Sequence, residues 1–527
     1  MLKFKMMSSL LIFGVILFGS YNLSESSRNQ STTTHPTSNH YVQVQLLGIN
    51  DFHGQLNKYR KVSGHMAGGA EYLAAYLKKY KKENPNTLLV HAGDMVGGSP
   101  PISSQFQDEP TIEFLNLLHI DVGTPGNHEL DQGVNEMKRL IYGGFNEKTG
   151  YFNGSNTPYI SANIIDKRTN NPLFPPYVIK EIDGIKIGFI GVVTTETNLY
   201  VTHENRKEVE ITDEVSAINR TAQLLKEKGI KAIVVLAHVS AESNLSGTNP
   251  QEALVEMAPK IDNEVDVIFA GHSHQYANTI VDNKLIVQAY SYGEAFSQVN
   301  IKIDRNTKDI IEKRAKIVVT SHDGIKPDKD TVALLKKYKE KLGDKFNQIV
   351  GFLPEEVSRK QDVNGESPLA KMIAESERKA MGTEIAIVHQ GEMRGSLKRG
   401  NLTLEDLYTQ LPFGHSVSKL ILTGDQIKLV LEQQWRKDQM NDMLQTVGLT
   451  YKWNPNAPIG SRIIMLKDSK GQNLQSDREY VVAVSNYLAS GGDNFSAFEQ
   501  GRLVETGPQV VTALLNYIKQ QYPMNMN

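Results

Sequence analysis

The sequence predicts a layered α/β protein built from two domains. Between Val42 and about Thr320, short runs rich in β-branched residues alternate with helical patterns, which is typical of an α/β domain. A second unit with its own strand and helix patterns extends to about Tyr522. The length of 527 residues is sufficient for both, because single domains average roughly 100–200 residues.

Strands are predicted where apolar, β-branched runs are bounded by turn residues. In the first domain they are Val42–Ile49, Thr87–His91, His119–Thr124, Ile185–Val193, Lys231–Ala237, Val265–Ala270, Leu285–Gln288 and Val299–Ile303. In the second domain they are Glu384–Val388, Leu420–Leu422 and Tyr480–Val484. The strongly charged stretch between Pro327 and Asp344 has few apolar positions, which predicts a solvent-bridging helix between the two domains.

Composition excludes several classes of function. Lys plus Arg number 57 against 59 Asp plus Glu, a net charge of −2, which argues against a protein that binds a nucleic acid polymer. The chain has no Cys, so disulfides, zinc ribbons, iron–sulfur clusters and Cys nucleophiles are excluded. Any metal must be held by His, Asp, Glu or Asn side chains.

The N-terminal residues are predicted to direct export. Lys3 and Lys5 precede an uncharged apolar run, Leu10–Phe18, which is shorter than the ~20 residues that span a bilayer comfortably. We therefore expect a signal peptide over residues 1–25 and a flexible, Ser- and Thr-rich spacer over residues 26–40. The location expected is secreted or cell-surface, in a bacterial cell envelope. Membrane attachment is expected only if this segment stays uncleaved.

Side chains of the kinds that bind metals follow five of the predicted strands. They are Asp51, His53, Asp94, Asn127, His238, His272 and His274. A single His after a strand is more often a surface residue than a ligand, and Gly-Asp is ordinary turn chemistry. The joint pattern nevertheless favours a metal site, because ligands of open α/β sheets bind outside the carboxyl ends of the strands.

These seven side chains are too many for one ion that keeps an open position, so two divalent ions are expected. Asp94 is the natural bridge, since a carboxylate has two oxygens. Such a pair suits phosphoester hydrolysis, because it acidifies a water molecule and neutralises phosphoryl charge. The residue types admit Zn, Mn, Fe or Co.

His128 and Asp131 are expected to have a different role. They lie three positions apart at the predicted start of a helix and therefore share a face. A His held by a carboxylate can stabilise phosphoryl charge or protonate a leaving oxygen. The alternative is a helix-capping carboxylate beside a His that only supports the ligands.

The motifs resemble those of a known family. Asp51-Phe-His53, Gly93-Asp94, Gly126-Asn127-His128-Glu129, His238 and Gly271-His272-Ser273-His274 occur in the order found in calcineurin-type metallophosphoesterases. Within that group the chain resembles the secreted 5′-nucleotidase, UDP-sugar hydrolase and 2′,3′-cyclic phosphodiesterase family. The resemblance implies that Asp94 bridges two metals, with Asp51, His53 and His274 on one and Asn127, His238 and His272 on the other. It also implies that His128 and Asp131 form the catalytic dyad.

The resemblance implies a four-layer metallophosphoesterase β-sandwich flanked by helices, plus a smaller α+β substrate-binding domain. The corresponding boundaries are residues 41–325 for the first domain, 326–345 for a linker helix and 346–527 for the 5′-nucleotidase C-terminal domain. The family's rotation between the two domains is expected here, with its hinge near the linker helix.

Three C-terminal segments extend the resemblance: His389-Gln-Gly-Glu-Met-Arg394, Leu411-Pro-Phe413-Gly414 and Asn486-Tyr487-Leu-Ala-Ser-Gly-Gly-Asp493. It implies that Arg394 contacts phosphate, that Phe413 and Tyr487 sandwich the base, and that Asp493 binds the ribose hydroxyls. His389 and Tyr487 stand where the family usually has Asn and Phe. A second phosphate-binding Arg is not apparent, so Lys371 is a candidate substitute. Without the flanking motifs, the two aromatics would be read as core residues.

The sequence therefore predicts an exported phosphohydrolase with two divalent metals that removes phosphate from nucleotides, chiefly 5′-nucleoside monophosphates. Alternatives with the same chemistry are a UDP-sugar hydrolase, a 2′,3′-cyclic-nucleotide phosphodiesterase with 3′-nucleotidase activity, or a broad phosphatase. A catalytically silent surface nucleotide-binding protein is the alternative of a different class.

Overall fold

The structure is a computed structural model that describes residues 40–62, 64–362, 365–435 and 443–524. The expected signal peptide and nearly all of the spacer lie outside the described residues. Two sheets form the centre of the first domain. The strands of the first, in spatial order, are Ile310–Val319, Ala295–Asp304, Tyr41–Ile49, Thr87–His91 and Val122–Gly123. Those of the second are Tyr177–Ile182, Ile185–Val193, Ala232–His238, Val265–Phe269, Lys284–Ala289 and Tyr276–Val281.

The two sheets pack face to face. Leu46 and Val90 of the first sheet and Phe189 and Val234 of the second belong to one buried cluster. The outer face of the second sheet is covered by the helix Glu214–Glu227. These layers are helix, sheet, sheet and helix, which confirms the predicted four-layer fold.

The charged helix, Lys329–Leu342, does not bridge solvent as expected. Leu334 and Tyr338 pack into the core beside the first sheet, together with the helices Ala70–Glu83 and Glu109–Leu118. The low apolar content misled the prediction, because two buried residues on one face suffice to dock a short amphipathic helix.

The C-terminal residues form a second, smaller mixed sheet. Its strands, in spatial order, are Gln445–Val447, Ile385–Val388, Glu479–Ser485, Ser416–Thr423 and Arg502–Gln509. The helices Pro368–Met381 and Val510–Gln521 pack on one face through a shared core, and Gly424–Glu432 packs on the other. A separate α+β domain is thereby confirmed.

Shorter elements connect these layers. The remaining strands are Tyr59–Val62, His65–Gly68, Gly144–Asn146, Gly150–Phe152, Ile164–Asp166, Asn171–Pro172, Val209–Ile211, Ile349–Leu353, Gly400–Thr403, Leu449–Trp453 and Ile463–Asp468. The remaining α-helices are Pro101–Ser104, Val134–Tyr142, Thr197–Tyr200, His203–Arg206, Ala253–Met257, Leu404–Gln410 and Asn486–Ala489. Within the described ranges, no helix has the length and apolar character needed to span a bilayer.

Strand direction brings the predicted ligands to one edge. Tyr41–Ile49 pairs in parallel with Thr87–His91, which pairs in parallel with Val122–Gly123. In the second sheet, Ala232–His238 and Val265–Phe269 also pair in parallel. Because parallel strands end at the same edge, the loops that follow all five strands meet there.

Candidate active site

Two groups of predicted ligands lie at this edge, and a third group overlaps both. Asp51, His53 and His274 have ligand atoms within 4.8 Å of one another, and so do Asp94, His238 and His272. The third group is His53, Asp94 and His128. Asp94 lies between the groups, since its Oδ2 is 3.1 Å from Nε2 of His238 and 3.6 Å from Nε2 of His53. Asn127 Oδ1 lies 3.1 Å from the same nitrogen of His238. The structure therefore brings all seven predicted side chains together.

The hydrogen bonds of two rings show that this donor set fits divalent cations. Nδ1 of His53 donates to the Gly97 carbonyl and Nδ1 of His238 donates to the Ala92 carbonyl, each at 2.8 Å. Such bonds leave the Nε2 lone pairs directed into the site. Nε2 of His238 then faces the oxygens of Asp94 and Asn127. These acceptor atoms repel one another unless a proton or a metal ion lies between them. Imidazole, carboxylate and amide ligands suit Zn, Mn, Fe or Co.

Burial and charge shift the pKa values of these groups. Burial raises the pKa of Asp51 to about 6. Burial and the positive charge of Arg394 hold the pKa of His53 well below its usual range, so this ring stays neutral. For His238, burial lowers the pKa, but the nearby charge of Asp94 outweighs it and raises the value to about 9. The site thus favours positive charge beside Asp94.

The loops that present the ligands are held in strained backbone conformations. Asp51, His53, Asp94, His272 and His274 have positive φ angles between 49° and 75°, which are uncommon for residues other than glycine. The buried carboxylate of Glu129 supports one such turn, because it accepts N–H groups from Asp94, Met95 and Gly126 at 2.6–3.0 Å.

A carboxylate also faces one ligand of the second group. Oε2 of Glu196 lies 3.0 Å from Nε2 of His272, at the start of the helix Thr197–Tyr200. This contact leaves Nδ1 of His272 as the atom directed toward Asp94. Glu196 therefore fixes which imidazole nitrogen can bind a metal.

His128 and Asp131 are in contact. His128 begins the short 3₁₀ turn His128–Leu130, and Asp131 follows its last residue. Nδ1 of His128 is 2.8 Å from Oδ2 of Asp131. Nη2 of Arg394, from the second domain, lies 3.1 Å from Nε2 of the same ring. One imidazole therefore connects a carboxylate of the first domain with a guanidinium of the second.

A cavity of about 1150 Å³ lies between the two domains. It is lined by all the sequence-predicted residues except Asp51, His53 and His238, which are fully buried. On the side of the second domain, Oδ2 of Asp493 lies 2.6 Å from Nδ1 of His389, and the Tyr487 hydroxyl lies 2.9 Å from the other oxygen of Asp493. The same hydroxyl is 2.9 Å from the Tyr200 carbonyl of the first domain.

Phe413 and Tyr487 line the cavity but do not face each other across empty space. The ring of His415 lies between them, nearly parallel to both. Phe413 also lies 5.8 Å from the His128 ring, and the guanidinium of Arg394 is 4.8 Å from its centroid.

Arg359, and not Lys371, is the second cation of the cavity. Arg359 lines it, and the charge of Arg394 contributes, after burial, to lowering the pKa of Arg359. Lys371 Nζ instead lies 2.6 Å from Glu366 on the protein surface, outside the cavity lining. The suggestion that Lys371 replaces an Arg was therefore wrong.

Gly98 makes room for the guanidinium of Arg394. A Cβ atom at this position would lie 2.4 Å from Nη2 of Arg394, which is shorter than any real contact. The first domain thus has only backbone at Gly98, where the side chain of Arg394 from the second domain approaches it.

Sequence reasoning missed Arg359, Glu196 and His415 as parts of the site. Arg359 and Glu196 follow no recognisable motif, and their positions depend on how separate loops meet. The position of His415 had only a weak signal, its place two residues after Phe413 in the sequence.

The fold and these ligand groups are those of the metallophosphoesterase class. Comparison with known proteins agrees. Residues 44–276 match the family model of the calcineurin-like phosphoesterases, and residues 348–500 match that of the 5′-nucleotidase C-terminal domain. The chain belongs to the family of calcineurin-like phosphoesterases that carry a 5′-nucleotidase C-terminal domain.

Three similar proteins illustrate the relationship. Endonuclease YhcR of Bacillus subtilis is 38% identical over 96% of this chain, which spans 42% of that protein. Cell wall protein Lmo0130 of Listeria monocytogenes is 33% identical over 91% of this chain and 67% of its own length. The crystal structure of a 5′-nucleotidase precursor from Thermus thermophilus matches with a TM-score of 0.79 and 23% identity, over 91% of this chain and 97% of that one.

Proposed function

We propose that the protein is a phosphohydrolase with two divalent metal ions that removes phosphate from nucleotides, with 5′-nucleoside monophosphates as its main substrates. The observation that carries this proposal is the single cavity between the domains. It is lined by ligand groups suited to metals, by the rings of Phe413 and Tyr487 and by the carboxylate of Asp493. Arg394 and Arg359 lie in the same cavity. A phosphate joined to a nucleoside needs each of these features.

Asp51, His53 and His274 would hold one ion and Asn127, His238 and His272 the other, with Asp94 between them. When bound, the ions would neutralise phosphoryl charge and acidify a water molecule. We propose two ions because the ligands form one group around Asp51 and another around Asp94.

The chain's own residues would do the rest. Arg394 and Arg359 would bind the phosphate oxygens, because a guanidinium fork matches them. Asp131 accepts a hydrogen bond from Nδ1 of His128 and so leaves Nε2 facing the cavity. From there Nε2 would stabilise phosphoryl charge or give a proton to the leaving oxygen.

Asp493 would accept hydrogen bonds from the ribose hydroxyls, because it lines the cavity and a carboxylate can accept from a vicinal diol. His389 and the Tyr487 hydroxyl hold this carboxylate in place. The rings of Phe413 and Tyr487 would stack on the base.

Phosphate release from a panel of substrates tests the proposal. AMP, UMP, ADP, UDP-glucose, 2′,3′-cyclic AMP and glycerol phosphate are incubated with Mn²⁺, Zn²⁺ or a chelator, with a coupled phosphatase for UDP-glucose and the cyclic nucleotide. Chelator-sensitive release, fastest from a nucleoside monophosphate, is expected. A single-stranded oligonucleotide is included because the Bacillus relative bears the name endonuclease. Failure of the folded, metal-loaded protein to act on any substrate would favour a silent nucleotide-binding protein.

Asp94→Asn tests the bridging position. The amide keeps the size of the side chain but removes its charge, so we expect loss of turnover with an unchanged circular dichroism spectrum. Substantial remaining activity contradicts the bridging role.

We also propose that the protein is exported. The apolar run Leu10–Phe18 follows basic residues, and one relative is named a cell wall protein. Fractionation of cells producing the full chain, with mass spectrometry of the mature N-terminus, tests this. Recovery of the intact chain from the cytoplasm alone contradicts it.

A further inference from the structure

Three rings form a continuous stack in the C-terminal half of the cavity. The centroids of Phe413 and His415 lie 5.4 Å apart with 14° between their planes. The centroids of His415 and Tyr487 lie 5.1 Å apart with 3° between their planes. Such near-parallel, offset rings at these distances are attractive aromatic contacts. The imidazole therefore occupies the space between the two aromatic side chains.

Two paired strands end beside the stack and bring its members close together. Ser416–Thr423 pairs antiparallel with Glu479–Ser485, and Val417 lies opposite Ser485. His415 comes two residues before Val417, and Tyr487 comes two residues after Ser485, in the helix Asn486–Ala489. Phe413 precedes His415 across Gly414, whose φ of 70° turns the chain between the two rings.

Hydrogen bonds hold this position on both the backbone and the side chain. The His415 carbonyl accepts the N–H of Val510 at 2.8 Å, so the backbone is tied to the last helix. Nδ1 of His415 lies 3.2 Å from Oε2 of Glu392, a carboxylate that is 6% exposed. The side chain of His415 itself remains 22% exposed on its cavity side. The ring can therefore leave by rotation about its own side-chain bonds, without movement of the strand.

We propose that the imidazole of His415 occupies the position between Phe413 and Tyr487 that a nucleobase would take, and must rotate away before a nucleotide binds. This inference rests on the proposed function, in which Phe413 and Tyr487 sandwich the base. A planar base cannot enter between these two rings while a third ring fills the gap. The contacts of His415 with Phe413, Tyr487 and Glu392 must be broken first. The imidazole is thus an internal competitor that weakens nucleoside binding.

Removal of the ring tests the proposal. His415→Ala is expected to lower KM for AMP about tenfold, which corresponds to about 1.4 kcal/mol, with a much smaller change for glycerol phosphate, which has no ring. His65→Ala is the matched control, since His65 is an exposed His outside the cavity. An unchanged or higher KM for AMP in His415→Ala overturns the proposal, because it shows that the imidazole is absent from the slot or forms part of its wall.

Adenosine binding by calorimetry separates this inference from the proposed function, because it needs no turnover. Tighter binding of adenosine to His415→Ala than to the parent, again about tenfold, supports displacement of the imidazole. Equal or weaker binding refutes it even if AMP is hydrolysed. If the parent binds adenosine but releases no phosphate from any nucleotide, the hydrolase proposal fails while the His415 inference is still decided. If neither protein binds adenosine, the His415 inference falls, and phosphate release from AMP alone decides the hydrolase proposal.

Discussion

The guanidinium of Arg394 lies 3.1 Å from Nε2 of His128, although 266 positions separate them in the chain. This contact crosses from the C-terminal domain to the metal-ligand loops of the first domain. The phosphate-binding candidate and the proposed acid therefore lie at one point, and any substrate phosphate held there contacts both domains. Substitution of either Arg394 or His128 should therefore affect both catalysis and the contact between the domains.

Arg394→Lys is expected to reduce kcat/KM for AMP about 10²-fold with unchanged metal content. Lys supplies a point charge without the planar fork that matches two phosphate oxygens, and bidentate charged contacts are the stronger ones. Arg399→Lys is the matched control, because Arg399 is exposed. Steady-state kinetics and metal analysis of both variants check the prediction; equal kinetics in the two would contradict it.

Phe413→Ala is expected to raise KM about tenfold or more for AMP but much less for glycerol phosphate. Stacking of a base on an aromatic side chain contributes about 1–3 kcal/mol, and only the nucleotide gains it. Because Phe413 also contacts Arg394 and His128, the informative quantity is the ratio of the two KM values. Phe145→Ala removes a ring that is 70% exposed elsewhere and serves as control. An unchanged ratio removes the stacking role.

Glu196→Gln is expected to weaken metal binding by about 10–100-fold. The neutral amide holds the imidazole of His272 less firmly than the carboxylate, so the ligand loses its fixed orientation. Competition with a chromophoric chelator measures the affinity independently of activity. Glu210→Gln, at an exposed strand residue, is the control. If both variants bind metal like the parent, Glu196 does not position His272.

Asp266 should make stability depend on pH. Burial raises the pKa of this carboxyl from 3.8 to about 6, although Lys313 Nζ lies 2.6 Å away and opposes the shift. Between these two pH values the folded protein binds a proton that the unfolded chain has lost. The free energy of unfolding therefore falls as pH rises through this window, by about 2–3 kcal/mol.

Asp266→Asn removes this titration, so the difference in free energy of unfolding between parent and variant should change by that amount from pH 4 to pH 6.5. Denaturant unfolding at several pH values measures it. Asp477→Asn, at an exposed position of the C-terminal half, controls for general effects of charge. A difference that stays constant with pH would show that Asp266 ionises normally in the folded protein.

The sequence predicted which side chains would meet at the edges of the sheets, and the reason is physical. Asp51, Asp94 and His238 lie directly at strand ends, and parallel strands in one sheet must end at a common edge. Local pattern and topology therefore give the same answer for these residues. The strand that ends near Asn127 is only Val122–Gly123, shorter than predicted, but its direction alone placed the ligand.

Residues whose positions depend on distant contacts were not predictable in this way. His415 lies in the stack because of the pairing of two strands more than sixty residues apart in sequence. Arg359 reaches the cavity from a segment without a motif. The packing of the helix Lys329–Leu342 was misjudged because Leu334 and Tyr338 find their partners on the helices Ala70–Glu83 and Glu109–Leu118. The spacing of apolar residues predicts which face of a helix is buried, but it does not predict the surface against which that face packs.

The missing side chain at Gly98 has an evolutionary consequence. The guanidinium of Arg394 fits against the first domain only because nothing larger than hydrogen projects there. Because the guanidinium is the end of a flexible side chain, a larger residue at position 98 would displace it from His128. A relative that carries a side chain at the equivalent position would therefore need another way to hold its arginine beside the imidazole, even though each half of the chain folds around its own core.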